Sequence, residues 1–159
     1  MSGLESLYQE LILDHSKRPH GKGLGSEEAA ADAAGQGGRV ATSFQRNPIC
    51  GDEITLRVRL SDDGTTVDEV AWDGAGCSIS QASASMLVAL IEEDERMPRA
   101  EASALIEGFR EALRSRGEIA LDEEVFGDAA ALSGVSKFTA RVKCAMLAWV
   151  AFEDAVARA

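Results

Sequence analysis

Positive charge is scarce in this chain: 16 Lys and Arg stand against 27 Asp and Glu, a formal net charge of −11 at pH 7. Such a balance repels phosphate backbones and sets nucleic acid aside as a partner. Long hydrophobic runs are missing as well. No stretch approaches the ~20 consecutive apolar residues that span a bilayer, so no membrane partner is expected. The opening residues, MSGLESLYQEL, are acidic and periodic and lack the basic and then apolar regions of a secretory signal. A cytoplasmic location is the expectation. The histidines are His15 and His20, and neither lies in a motif that pairs it with a nucleophile. A phosphate loop ending in Lys-Ser or Lys-Thr is absent too. Only three cysteines occur, Cys50, Cys77 and Cys144. An odd count in a reducing compartment argues against a disulfide framework, and the lack of any C-x-x-C pair argues against a zinc finger.

What is present is an apolar fraction of 45%, ordinary for a folded chain. The 159 residues fit a single domain, 1–159, with a substantial core, and neither internal repeats nor a linker interrupts them. Leu4, Leu7, Tyr8, Leu11 and Ile12 fall on one face of a helix that should end before Pro19. His15 continues that stripe and reads as a packed core histidine rather than a ligand. Lys17, Arg18 and Lys22 then gather positive charge. They are read as a solvated helix end favoured by the helix dipole, in preference to a docking patch for an acidic partner. The Gly/Ala-rich stretch 21–38 has no apolar period and is expected to be a mobile loop.

Val40, Thr42 and Phe44 alternate, as do Ile54, Leu56, Val58 and Leu60, and then Val70 and Trp72. Tight connections between these runs predict a three-stranded antiparallel sheet with one face buried. The period then becomes helical. Ile79, Ala82, Met86, Ala89 and Leu90 share a face, and so do Ala102, Leu105, Ile106, Phe109 and Leu113, a helix closed by Gly117. A short helix over 125–135 precedes a last one whose core stripe is expected at Val142, Met146, Trp149, Val150 and Val156. The order predicts an α+β fold: an N-terminal helix, then a three-stranded sheet covered on one face by helices, with Trp72, Met86 and Trp149 buried.

The cysteines sit at the ends of these elements. Cys50 is in the Pro/Gly-flanked turn between the first two strands, with Asp52 two residues on. Cys77 lies where a loop enters a helix, a position at which the helix dipole favours a thiolate. Cys144 is near the start of the final helix. Three thiolates and a carboxylate are the complement of a tetrahedral zinc or iron site. On residue types and placement alone, that site and a set of three inert packed thiols both stand. Four anionic donors on a divalent ion would leave negative charge to offset. Arg141 and Lys143 flank Cys144 and Arg46 precedes Cys50, with ordinary helix solvation as the other account of them.

Four stretches, LYQELILDHSKRPH, NPICGDEITL, GAGCSISQASASML and RVKCAMLAW, together resemble the U-type iron–sulfur cluster assembly proteins, the IscU/SufU/NifU family, in order and over nearly the whole chain. The resemblance implies a ligand set of Cys50, Asp52, Cys77 and Cys144. IscU-type scaffolds carry a histidine where this chain has Lys143, and they lack the extra helix around Leu105 to Leu113. Both departures look like the SufU branch, whose members bind zinc and accept sulfur from a SufS-type cysteine desulfurase. The expectation is a zinc-dependent sulfur-transfer protein that takes persulfide sulfur on Cys50, stimulates the desulfurase and serves downstream iron–sulfur assembly proteins. A cysteine held between Pro48 and Gly51 on a surface turn can swing out at little backbone cost, whereas Cys77 and Cys144 are anchored to helices. The alternative is a scaffold on which a [2Fe–2S] cluster is assembled and passed on. A purely structural zinc domain is a third reading, and the Gly-flanked setting of Cys50 speaks against it.

Overall fold

A computed structural model describes residues 3–23, 39–48, 51–93 and 96–159. Most of the stretch expected to be a mobile loop, and Cys50, lie outside the described residues. Helix α1, Gly3–Lys17, stops before Pro19 as its apolar period requires. Tyr8, Leu11 and Ile12 rest half-buried on the core, while Leu7 and Leu13 stay exposed. His15 is buried, its Nδ1 2.7 Å from Ser85 Oγ and its Nε2 2.8 Å from Asp128 Oδ2. The chain then turns alongside the sheet. Trp72 N donates to Gly21 O and Gly23 N to Trp72 O, both at 2.9 Å. Gly21 is required twice over here. Its φ is +75°, and a Cβ would stand 2.7 Å from Val88 Cγ1. Lys22, grouped by sequence with a solvated helix end, lies over the Trp72 ring and donates to Gln81 Oε1 at 3.0 Å.

The sheet has order β1-β2-β3-β4, all antiparallel: β1 Arg39–Arg46, β2 Glu53–Leu60, β3 Thr66–Ala75 and β4 Met97–Pro98. The fourth strand adds to the three expected. Two residues, one of them proline, are too few to show an alternation. On β2, Ile54, Leu56, Val58 and Leu60 point into the core and are buried. Each such side chain stabilises the fold by roughly 1.5–3 kcal/mol. The stripe on β1 is the opposite of what its pattern suggests. Val40 and Phe44 are 40% and 58% exposed, and the inward residue is Ser43, whose Oγ donates to Asp154 Oδ2 at 2.7 Å. Register is the reason. Val40 pairs with Arg59 and Phe44 with Thr55, which puts both on the polar face where Arg59 bridges Asp68 and Glu69.

Four helices and a 3-10 stretch complete the fold: α2 Ser78–Glu93, α3 Arg99–Arg114, α4 Glu123–Phe126, the 3-10 stretch Gly127–Lys137, and α5 Thr139–Arg158. They cover the inner sheet face, with α5 across β1 and β2 and against α2. Trp72, Met86 and Trp149 are buried as expected. Ser83 Oγ ties the two central helices by donating to Ala145 O at 2.6 Å and accepting Trp149 Nε1 at 3.1 Å. Trp149 stacks on Phe109 with centroids 4.0 Å apart and planes 8° apart. The core stripe of α5 is displaced from the expected one. Trp149 and Val156 are buried as expected, but Val142, Met146 and Val150 are only half-buried, and the rest of the buried arc runs through Ala145, Ala148, Phe152 and Ala155. Alanines admit the close approach of α2, so the large residues do not mark the centre of the face. Among the described residues, no helix is long and apolar enough to cross a membrane.

Candidate metal centre

The β1–β2 connection closes on itself. Asn47 N donates to Asp52 O and Gly51 N to Asn47 O, both at 2.8 Å, and Gly51 takes the turn at φ +79°. Asp52 is thereby held at the foot of β2, 5% exposed. Cys50 belongs to this turn, but it lies outside the described residues, so its assignment as ligand and acceptor carries no geometry.

The second contributor enters from β3. At Gly74 a Cβ would stand 2.4 Å from Glu53 O, and at Gly76 it would stand 2.5 Å from Ser80 Oγ and 2.8 Å from Asp52 Cγ. These two glycines let the loop run close enough to β2 for Cys77 Sγ to donate to Asp52 Oδ2 at 3.4 Å. Cys77 begins α2: its carbonyl accepts Gln81 N at 3.1 Å and Ser80 Oγ at 3.0 Å. Gln81 also lies within hydrogen-bond reach of Gly74 O, 3.5 Å from its Nε2, which ties α2 back to the loop that carries Cys77. Cys77 is exposed, which is not the packing of an inert core thiol. Cys144 comes from the second turn of α5. It is 8% exposed, with its Sγ 3.7 Å from Ala140 O.

One ligand atom from each of Asp52, Cys77 and Cys144 lies within 4.8 Å of the others. Tetrahedral bonds of ~2.3 Å to sulfur and ~2.0–2.2 Å to oxygen would set S and O ~3.5 Å apart and two sulfurs ~3.8 Å apart. The Cys77–Asp52 separation of 3.4 Å already matches. The remaining separations, none above 4.8 Å, need to close by at most about 1.3 Å. Two sulfurs and a carboxylate are donors that suit zinc or iron, and they leave a fourth position. The residues present therefore fit a metal. Of the two cations expected beside Cys144, Arg141 lines the groove into which Cys77 opens, with its guanidinium 4.8 Å from the Phe138 ring centroid. Lys143 is exposed and does not line that groove.

Gly74, Gly76, Ser80 and Gln81 went unread in the sequence as parts of the site. Small residues on either side of a cysteine signal only a turn and a helix start. Their steric role appears once β2 and β3 are placed side by side.

The profile of the NifU-like N terminal domain family matches residues 7–156. The zinc-dependent sulfurtransferase SufU of Bacillus subtilis (strain 168) is 36% identical over 157 residues, covering 99% of this chain and 94% of that protein. The iron-sulfur cluster assembly scaffold protein IscU of Streptococcus pyogenes serotype M1 is 38% identical over 160 residues, covering 99% and 87%. Among solved structures, a putative iron-sulfur cluster assembly scaffold protein for the SUF system from Fervidobacterium islandicum AW-1 superposes with a TM-score of 0.70 at 29% identity, covering 97% of this chain and 99% of that one.

Proposed function

The chain belongs to the NifU-like N-terminal domain family, the IscU/SufU/NifU group of iron–sulfur cluster assembly proteins, and from that membership we propose that it is a zinc-dependent sulfur-transfer protein taking persulfide sulfur on Cys50 from a SufS-type cysteine desulfurase. The observation that carries this reading is the convergence of Asp52, Cys77 and Cys144, brought from β2, the α2 start and α5 to within 4.8 Å. In the sequence a single residue, Gly51, separates Cys50 from Asp52. Bound zinc would keep its cysteine ligands deprotonated at neutral pH.

The transfer itself needs no oxidant. The Cys50 thiolate attacks the outer sulfur of the donor's cysteine persulfide. A sulfur–sulfur bond forms on Cys50, the donor's breaks, and the donor cysteine leaves as a thiolate. The turn is pinned at Asn47 and Asp52, which would hold Asp52 in the site while sulfur is accepted on Cys50. Arg141 serves to offset the negative charge of the donor set. Lys143 stands where scaffolds of the family carry histidine, which favours transfer over cluster building. The name of the Streptococcus relative supports the second reading, a scaffold for a [2Fe–2S] cluster that is then handed to downstream assembly proteins. A cytoplasmic setting, in which thiols stay reduced, belongs to both readings.

Metal analysis of aerobically purified protein separates them. Transfer predicts about one zinc per chain, lost in Cys77→Ser and Cys144→Ser. Iron with inorganic sulfide would favour the scaffold. Less than about half a zinc with no iron, or full metal in Cys77→Ser, would overturn the site altogether.

A further inference from the structure

A groove of about 880 Å³ lies between α1, the start of α2, the 3-10 stretch and the start of α5. Tyr8, Ile79 and Val135 are among the side chains that line it, and Cys77 opens into it. Two of the large apolar residues in its lining are exposed, Leu13 at 49% and Phe138 at 52%. Its charge runs against the chain's composition. Among the described residues, the charged side chains lining the groove are Lys137 and Arg141, and no acid does so. In a chain whose acids outnumber its bases 27 to 16, an all-cationic lining is a local reversal.

We propose that this groove seats an acidic segment, anchored by apolar side chains, of the protein that donates the sulfur. The proposal rests on the transfer reading above. A volume in the range of ~300–1,000 Å³ accepts a few side chains, and exposed aromatic and aliphatic anchors are where binding energy concentrates. The two cations would steer an acidic segment and fix its orientation. Position supplies the functional link. Cys77 Sγ is 3.4 Å from Asp52 Oδ2, and Asp52 closes the turn that bears Cys50. A segment held in the groove keeps its parent protein against the sulfur-accepting turn, so the persulfide is delivered at high effective concentration. A second copy of this chain, itself acidic, is the competing occupant.

The test uses the full chain, loaded with zinc, and the desulfurase of the same cell. Leu13→Ser, Lys137→Glu and Phe138→Ser are made singly and together, with Phe44→Ser on the outer sheet face as control. Calorimetric titration should show the triple variant binding the desulfurase at least ~10-fold more weakly, and Phe44→Ser binding like the parent. In the turnover assay the triple variant should raise KM for this protein and leave kcat at saturation unchanged. Zinc content and circular dichroism should match the parent, and Lys137→Glu should flatten the salt dependence of binding. Binding of the triple variant within ~2-fold of the parent overturns the groove and leaves the transfer reading standing. Loss of self-association with desulfurase binding intact assigns the groove to a second copy and likewise overturns it. A parent chain that does not bind the desulfurase overturns both.

Discussion

Gly76→Ala probes the candidate centre without touching a ligand. The added Cβ would stand 2.8 Å from Asp52 Cγ and 2.5 Å from Ser80 Oγ. Ordinary contact between carbons is ~3.5–4.0 Å, so the carboxylate must retreat by at least about 0.7 Å. Ser80 can rotate away. Asp52 has less freedom, because its backbone carbonyl is held by Asn47 N and its side chain is buried. Metal–ligand distances tolerate only about 0.2 Å, and disturbing groups that orient a ligand costs ~10–100-fold in affinity. Zinc affinity of Gly76→Ala should fall by that amount, measured by competition with a chromophoric chelator at fixed pH. The overall fold should lose no more than the ~1–3 kcal/mol of an overpacked site. Gly134→Ala is the control, since nothing lies within 4 Å of a Cβ there. Zinc affinity of Gly76→Ala within about twofold of the parent would refute the reasoning, because Asp52 would then not be a ligand held where the structure places it.

Ser83→Ala removes the donor to Ala145 O and leaves Trp149 Nε1 without its partner in the core, and should cost ~1–3 kcal/mol in urea unfolding. Phe109→Ala removes a fully buried ring from the stack on Trp149 and should cost ~3–5 kcal/mol by the same measurement. Asp63 is held at about 2, chiefly by the Ser61 hydroxyl and then by the Thr65 hydroxyl and N–H. Its pKa is depressed, so its stabilisation is present above the ordinary carboxylate range and fades as pH falls through about 2. Thermal melts of Asp63→Ala should lie below the parent near neutral pH and converge with it in strong acid.

The helices were legible because their apolar residues recur at helical spacing, and α1 ends where Pro19 demands. The face of β1 was not, since alternation says which residues share a side but not which side is covered. There the register opposite Arg59 and Thr55 decides, and it leaves Phe44 in solvent. Strand β4 is too short to carry a period, and its place depends on pairing with Thr66 and Val67. At the candidate centre, Asp52, Cys77 and Cys144 were picked out by residue type and by their positions at element ends, and the structure brings them together. The residues that set their spacing were not. Gly74 matters because of Glu53 and Gly76 because of Asp52, contacts across some twenty residues of chain that no local pattern encodes.

The most direct test of sulfur transfer is to locate the sulfur. The zinc-loaded chain is incubated with the desulfurase and cysteine, trapped by alkylation, digested and mapped by mass spectrometry. The persulfide should appear on the peptide bearing Cys50, and Cys50→Ala should abolish both persulfide and stimulation of the desulfurase while its circular dichroism stays that of the parent. Persulfide found on Cys77 or Cys144, with Cys50→Ala still accepting sulfur, would contradict the account.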